Sequence, residues 1–264
     1  MRAKINGIEM AYAVSGTATA PAVVLHHPLA TNLSFWDEAA AVLEKTFRVI
    51  RFDARGHGAS EAPTGRYDFK ILALDTIALM DHVGVKRAQY VGLSMGGMVA
   101  QFLGLDHAAR FASITIVSSA SKTAENMRHL WSDRVTVARE QGMPSQVEPA
   151  MQRWLAASTR AGNPEIVARC KRMIETTPLE GYAGWCGAIE YLDMTEKLGG
   201  IKIPVRFIVG AEDPATPPAA SETMHRRIPG SEFSIMPGVS HMLAIENPAG
   251  FHAELLPFLA KHAA

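Results

Sequence analysis

The sequence is poor in cysteine, carries no excess charge of either sign, and contains no long apolar run. Its two cysteines, Cys170 and Cys186, are too few for a disulfide framework and lack CxxC or zinc-site spacing. Basic and acidic residues number 26 each, so no global field attracts nucleic acid or an anionic membrane. No run of about 18 apolar residues occurs, and no apolar segment of signal-peptide length follows Met1. We therefore expect a cytoplasmic protein with a small-molecule partner.

Strand-like and helix-like runs alternate along most of the 264 residues. Asn6-Gly7 predicts a hairpin, and hence an antiparallel start to the sheet. Later strand-like runs are mostly apolar throughout, as expected for parallel strands covered on both faces. The predicted strands are 2–5, 8–14, 22–26, 47–52, 88–91, 114–117, 205–209 and 233–236, and the predicted helices are 35–45, 69–83, 97–106, 218–228 and 248–261. This order predicts an α/β fold with a mostly parallel, doubly wound sheet.

Residues 121–199 interrupt the alternation. They contain no convincing strand, have a helical pattern, and hold three of the four tryptophans. We predict a helical cap inserted between two strands and lying over the carboxyl ends of the sheet, where such folds bind ligands. The core then consists of residues 1–120 and 200–264. The alternative is a set of extra helices packed on the side of the sheet.

The pentapeptide Gly92-Leu93-Ser94-Met95-Gly96 lies between a strand-like and a helix-like run. A sharp strand-to-helix turn strains its central residue, and side chains two positions away on either side would collide, which explains both glycines. The turn lifts the Ser94 hydroxyl clear of the sheet, where the N-terminal amides of the next helix favour negative charge. Because G-x-S-x-G also arises by chance, a nucleophilic role for Ser94 depends on finding its partners.

A serine nucleophile needs a base, and the base needs an orienting acid. Asp213 follows the strand-like run 205–209, and His241 lies in a glycine-containing loop after the last predicted strand. Both are therefore expected at the same edge of the sheet as Ser94. The order Ser, Asp, His along the chain is that of the α/β-hydrolases and not of the two best-known serine-protease folds. Glu212 is the alternative acid.

The chain has nine histidines besides His241. His26 and His27 end an early strand and are expected to shape a loop, and His57 lies in a tight glycine turn. Four more fall on or beside predicted helices, where a solvated side chain is the ordinary interpretation: His107, His129, His225 and His252. His26 and His27 do not predict a metal site, because neighbours on a strand point to opposite faces.

Acyl transfer needs two backbone N–H donors for the developing oxyanion. Met95, immediately after the nucleophile, is the first candidate. The second should come from the loop after strand 22–26, where Pro28 has no N–H and Leu29 is therefore the candidate. An ordinary loop role for Pro28 and Leu29 is the alternative.

The predicted cap also contains candidate substrate-binding side chains. Trp131 and Arg134 share one helical face at a spacing of three residues, and Trp154 is a third candidate. Residues 121–175 contain nine lysines and arginines but only six acidic residues. This excess of positive charge suits a carboxylate-bearing substrate. A solvated helix surface shows the same excess, and tryptophans often form the interior of a cap.

These motifs together resemble those of the α/β-hydrolase superfamily over nearly the whole chain. Besides the elbow around Ser94, residues 53–60 match an Asp-x-Arg-Gly-x-Gly-x-Ser loop, and residues 210–213 match a Gly-x-x-Asp turn. Residues 177–189 of the predicted cap are similar to the corresponding stretch of 3-oxoadipate enol-lactonases, and the elbow also fits that family. The loop at residues 27–30 differs from the Asn-Ser-Leu-Gly type of that family. The resemblance implies hydrolysis of a cyclic enol ester during aromatic degradation.

The sequence therefore predicts a serine hydrolase that opens a small lactone or ester through an acyl-enzyme, with catalytic residues Ser94, Asp213 and His241. The predicted chemistry requires no cofactor and no metal. Three alternatives stay open: a general carboxylesterase, a hydrolase of carbon–carbon bonds in ring-fission products, and a non-catalytic ligand receptor on the same fold.

Overall fold

A computed structural model describes residues 1–263 and contains one sheet of eight strands. The strands are β1 Arg2–Ile5, β2 Ile8–Ser15, β3 Ala22–His26, β4 Arg48–Phe52, β5 Ala88–Leu93, β6 Phe111–Val117, β7 Val205–Gly210 and β8 Glu232–Met236. Their order across the sheet is β1-β2-β4-β3-β5-β6-β7-β8. The β1–β2 and β2–β4 pairs are antiparallel and all the others are parallel. The predicted antiparallel start and parallel remainder of the sheet are confirmed.

Eleven α-helices accompany the strands within the described residues. They are α1 Asp37–Leu43, α2 Phe69–His82, α3 Met95–Asp106, α4 His129–Gln141, α5 Val147–Trp154, α6 Ala157–Gly162, α7 Pro164–Glu175, α8 Leu179–Glu190, α9 Pro218–Arg227, α10 Leu243–Glu246 and α11 Pro248–Lys261. The helix predicted over 35–45 is shorter than expected. Asn32 accepts a hydrogen bond from the Ser34 amide and starts a 3-10 turn over Leu33–Trp36, so the α-helix begins only at Asp37.

Burial on both faces explains why the central strands are apolar throughout. In β3, Val23, Val24 and Leu25 are all fully buried. Val24 packs into the apolar cluster on one face of the sheet, while Val23 and Leu25 pack into the cluster on the other face. Each such side chain contributes about 1.5–3 kcal/mol when removed from water. β3 is therefore packed on both faces, and the loop after His26 leaves directly from this packed strand.

Residues 121–199 leave the sheet after β6 and return before β7, and they contain helices α4 to α8. Their two ends meet: Lys122 and Asp193 form an isolated antiparallel bridge and an ion pair of 2.9 Å. Trp185 of α8 is fully buried and donates from its indole nitrogen to the Arg55 carbonyl at 2.7 Å. The division into core and cap stays a prediction, and these contacts show how the segment is attached. No helix in the described part of the chain combines the length and apolar character needed to cross a bilayer.

Candidate active site

Ser94 lies at the turn between β5 and α3 with a strained backbone, at φ 55° and ψ −110°. A Cβ atom added to Gly92 would lie 2.3 Å from the Gly96 carbonyl oxygen, and one added to Gly96 would lie 2.6 Å from the His26 carbonyl oxygen. Neither position tolerates a side chain. The Ser94 amide donates to the Val117 carbonyl at 2.9 Å, which helps to hold a conformation that costs about 1–3 kcal/mol. The strand-turn-helix geometry expected of the pentapeptide is present.

Asp213 and His241 meet at the carboxyl ends of β7 and β8. The Asp213 Oδ2 atom lies 2.8 Å from His241 Nδ1, and both side chains are buried. The other carboxylate oxygen, Oδ1, accepts from the amides of Ala215 and Thr216 at 2.8 and 2.9 Å. The Thr216 hydroxyl donates to Oδ2 at 2.9 Å. Four donors thus surround one carboxylate and fix its direction.

The charge state of Asp213 determines which tautomer His241 adopts. Burial by itself would raise the pKa of Asp213, but the nearby His241 charge and the hydrogen bonds from His241 and Thr216 lower it below its usual value. The carboxylate is therefore ionised at neutral pH and only accepts hydrogen bonds. His241 Nδ1 consequently carries the proton, and in the neutral ring Nε2 keeps a free lone pair. That is the form a general base requires.

Ser94 and His241 line the same cavity, which has a volume of about 260 Å³. No hydrogen bond joins the Ser94 hydroxyl to His241 in the described residues. Catalytic hydrogen bonds are often long without substrate and shorten when it binds. Glu212, the alternative acid, is exposed, and in residues 1–263 its side chain forms no hydrogen bond with His241, whereas that of Asp213 does.

The two predicted oxyanion donors, Leu29 and Met95, come from different elements of the fold. Leu29 lines the cavity, and Met95 is the first residue of α3. Within residues 1–263 neither backbone N–H donates to another protein group, so both are free to bind a substrate oxygen. The loop that carries Leu29 is strained at Ala30, with φ 56°, and needs contacts that hold it.

Two histidines hold this loop by a reciprocal pair of hydrogen bonds. The Ala30 amide donates to His57 Nε2 at 3.0 Å, and the Ala54 amide donates to His27 Nε2 at 3.0 Å. Each ring therefore accepts at Nε2 and is neutral. Burial lowers the pKa of His27, and burial together with the His27 charge lowers that of His57 well below 6.5. We call this arrangement the histidine lock. For His27, this agrees with the prediction that the side chain shapes a loop.

His26 extends the same buried cluster toward the elbow. Its Nδ1 atom lies 2.6 Å from the Tyr90 hydroxyl, which donates to the Gly96 carbonyl at 2.9 Å. Because the hydroxyl proton is used on Gly96, His26 Nδ1 must donate to the hydroxyl. Burial, followed by the charges of His27 and His57, lowers the pKa of His26 well below 6.5. No group of three His, Cys, Asp or Glu side chains in residues 1–263 has a metal-site arrangement.

The three cap side chains predicted as substrate-binding candidates, Trp131, Arg134 and Trp154, all line the cavity. The Arg134 guanidinium lies over the Trp131 ring, 4.4 Å from its centroid, a distance that allows a cation–π interaction. The Trp154 side chain is buried, with 8% of the residue exposed. The cavity therefore has the strained serine at its base and aromatic and cationic side chains in its wall.

Sequence reasoning missed other residues of the wall, notably Arg153, Tyr182 and Gln146. Burial, and then the charge of Arg134, lowers the pKa of Arg153 to about 10, so it stays cationic at neutral pH. Neither arginine forms an ion pair with a carboxylate in the described residues. Ala150, Arg153 and Trp154 have i, i+3, i+4 spacing on α5, and this spacing is the signal that would have placed Arg153 beside Trp154.

Known proteins share this architecture. A family model described as the alpha/beta hydrolase fold matches residues 21–248. The chain belongs to the α/β hydrolase fold family.

Several relatives narrow the comparison. The 3-oxoadipate enol-lactonase 2 of Acinetobacter baylyi is 34% identical over 245 residues, which cover 93% of this chain and 91% of that protein. The crystal structure of an enol-lactonase from Burkholderia xenovorans is 34% identical with a TM-score of 0.95, covering 98% of this chain and 100% of that one. A thermophilic esterase from Thermogutta terrifontis is 28% identical with a TM-score of 0.94, covering 100% of both chains. These likenesses confirm the resemblance stated from the motifs and support a hydrolase activity.

Proposed function

We propose that this protein is a serine hydrolase that opens a small lactone or carboxylic ester through an acyl-enzyme on Ser94, in a reaction most like 3-oxoadipate enol-lactone hydrolysis. One observation carries the proposal: a strained serine and a histidine hydrogen-bonded to a buried aspartate line the same cavity. The relatives named as enol-lactonases support the choice of substrate class. A cytoplasmic location stays a prediction from the sequence.

The proposed reaction begins when the Ser94 Oγ atom attacks the substrate carbonyl carbon and His241 Nε2 takes the hydroxyl proton. Asp213 stabilises the imidazolium that forms. The tetrahedral intermediate then breaks the bond to the leaving oxygen, which receives the proton from Nε2. A water molecule attacks the acyl-enzyme, His241 takes its proton, and collapse of the second intermediate returns that proton to Ser94. Every proton is returned, and no cofactor is needed.

The amides of Leu29 and Met95 are the proposed donors to the oxyanion. By analogy with other such sites, each contributes about 3 kcal/mol to the transition state. The histidine lock supports the Leu29 side of the site, because it holds the strained loop before substrate arrives. Preorganised donors need no rearrangement during the reaction.

The cap wall suggests that the substrate carries a carboxylate. Arg134 and Arg153 both line the cavity, and neither has a carboxylate partner in residues 1–263. Two cations close enough for the charge of one to lower the pKa of the other are unfavourable unless an anion is bound between or beside them. A lactone with a free carboxylate supplies that anion while presenting its ester carbonyl to Ser94. This charge pattern also supports residues 121–199 as a cap that selects the substrate.

The hydrolytic assignment is tested by labelling Ser94 with a fluorophosphonate and by measuring nitrophenyl ester hydrolysis by Ser94→Ala. We expect the wild-type protein to be labelled at Ser94 and the variant to lose activity by at least about 1000-fold. The matched control is Ser119→Ala. Ser119 lies outside the predicted triad, and its hydroxyl donates to the backbone carbonyl of Ser94. Labelling of another residue, or a Ser94→Ala variant with most of its activity, would refute the assignment.

The substrate class is tested with a panel containing the enol-lactone, aliphatic lactones, short acyl esters and a ring-fission diketone. We expect the enol-lactone to be preferred in kcat/KM. Arg153→Gln should raise KM for the carboxylate-bearing lactone and leave KM for a neutral ester unchanged. A general carboxylesterase is the second candidate, because the chain also resembles the Thermogutta terrifontis esterase. A preference under about tenfold, or about 1.4 kcal/mol, would favour that candidate.

A further inference from the structure

Hydrogen bonds hold the backbone on both sides of His241. On one side, the Met242 amide donates to the Trp154 carbonyl at 3.0 Å. On the other side, the Ser240 amide donates to Glu246 Oε1 at 2.9 Å. Trp154 is the last residue of α5, and its side chain lines the substrate cavity. The general base is therefore held between two anchors, one of which belongs directly to the cap.

Glu246 connects the second anchor to the same part of the cap. Its other oxygen, Oε2, accepts from the Ala156 amide at 2.7 Å and from the Thr159 hydroxyl at 2.8 Å. Ala156 and Thr159 lie 90 and 87 residues away along the chain. With the Ser240 amide, three donors from two distant segments converge on one carboxylate.

The link between the His241 loop and the cap depends on the carboxylate of Glu246. The carboxylate makes no ion pair in residues 1–263, so the three donors take the place of a cation. Hydrogen bonds to an ionised carboxylate are roughly twice as strong as those between neutral groups. Loss of the carboxylate leaves the Ser240 and Ala156 amides without an acceptor, and both groups are then freed to move.

We propose that Glu246 is a positioning residue that fixes the His241 loop against the cap, so that the wall of the cavity and the general base move as one unit. This inference rests on the proposed hydrolase function. His241 must reach the Ser94 hydroxyl, the leaving oxygen and the attacking water in turn. A displacement of about 1 Å in such a group costs about 100-fold in rate. The backbone hydrogen bonds of Ser240 and Met242, on either side of His241, prevent such a displacement.

The test compares Glu246→Ala and Glu246→Gln with the wild-type protein in steady-state hydrolysis of a nitrophenyl ester. Glu246→Ala should lower kcat by about 100-fold and change KM by less than about threefold. Glu246→Gln should lose only about tenfold. Its carbonyl oxygen can still accept from the Ser240 amide, and the Thr159 hydroxyl can turn to accept from the new NH2 group. The Ala156 amide loses its acceptor, which accounts for the remaining loss. Partial rescue by the isosteric side chain separates positioning from simple loss of stability.

Glu254→Gln is the matched control. Glu254 lies on α11, is half-buried like Glu246, and pairs with Arg206 away from the cavity. It should lose some stability and keep the wild-type kcat. Thermal unfolding of all three variants accompanies the kinetics, so that a fall in kcat is measured only on folded protein.

Each outcome decides the proposal. A folded Glu246→Ala variant with kcat within about threefold of wild type overturns it, and so does an equal loss in the Glu254→Gln control. If Glu246→Ala does not fold, Glu246→Gln decides alone, and an unchanged kcat overturns the proposal. Fluorophosphonate labelling separates the two levels of inference. Unlabelled wild-type protein overturns the hydrolase function, whereas equal labelling rates in wild type and variants overturn only the role of Glu246.

Discussion

Three buried neutral histidines predict a steep loss of stability in weak acid. His26, His27 and His57 are at most 1% exposed. Burial lowers the pKa of all three below 6.5, and that of His26 and His57 well below it. Protonation would place a cation in an apolar region and convert Nε2 of His27 and His57 from acceptors into donors. The amides of Ala30 and Ala54 would then have no acceptor, because each would point at an N–H group of a protonated ring.

The size and sign of the effect follow from proton linkage. Below pH 6.5 the unfolded chain binds more protons than the folded one. The free energy of unfolding therefore decreases as the pH decreases. A histidine that stays neutral to pH 5.5 lowers it by about 1.4 kcal/mol relative to pH 8. His26 and His57 together contribute up to about 3 kcal/mol, and His27 adds to this. Burial raises the pKa of Asp75 and Glu246, so these two carboxyl groups act in the opposite direction, because their protonation favours the folded chain. The total stability of a domain is roughly 5–15 kcal/mol.

Urea unfolding followed by tryptophan fluorescence at pH 8 and pH 5.5 measures this loss. His57→Gln isolates one part of it, because the glutamine oxygen can take the place of Nε2 as acceptor for the Ala30 amide but does not titrate. The variant should lose about 1.4 kcal/mol less than wild type between the two pH values. His129→Gln, at an exposed position, should behave like wild type. If His57→Gln were as acid-sensitive as wild type, the neutral histidine lock would be wrong.

Three further variants test other contacts. Gly92→Ala places a Cβ atom 2.3 Å from the Gly96 carbonyl oxygen, and urea unfolding should show a loss of about 3 kcal/mol; a stability unchanged from wild type would contradict the geometry of the elbow. Asp75→Asn removes the charge from a nearly buried ion pair with Arg55 at 2.7 Å, and the same assay should show a loss of about 3 kcal/mol; a loss under 1 kcal/mol would indicate a solvated pair. Thr216→Val removes one donor to the Asp213 carboxylate and should lower kcat about tenfold; an unchanged kcat would show that the remaining donors suffice.

The sequence predicted the parts of this protein whose physics is local. Strand β3 is recognisable because a strand buried on both faces must be apolar at every position. The turn at Ser94 is recognisable because a side chain at either Gly92 or Gly96 would collide with backbone atoms at the turn. The hairpin at Asn6 and Gly7 is similarly local, and both residues have positive φ as such a turn requires.

The sequence did not predict contacts that depend on how distant segments meet. Helical spacing on α5 puts Arg153 and Trp154 side by side, but it does not say that this face meets the cavity. Glu246 has the sequence pattern of an ordinary acid at the end of a short helix, and two of its three hydrogen-bond partners, Ala156 and Thr159, lie 90 and 87 residues away. The roles of His27 and His57 likewise depend on two loops that only the folded sheet brings together.

The bridge between Lys122 and Asp193 has a consequence for how such a protein can diversify. Residues 121–199 leave the rest of the fold after β6 and rejoin it at the same place. The distance to be closed between β6 and β7 is therefore short, whatever the length of the segment. The entropy of closing a loop grows only with the logarithm of its length, so each doubling costs about 0.6 kcal/mol. A segment of different size and lining can therefore replace this one at little thermodynamic cost. A replacement must still provide the contacts that this segment makes with the rest of the chain, among them a donor for the Arg55 carbonyl, a carbonyl for the Met242 amide and donors for the Glu246 carboxylate.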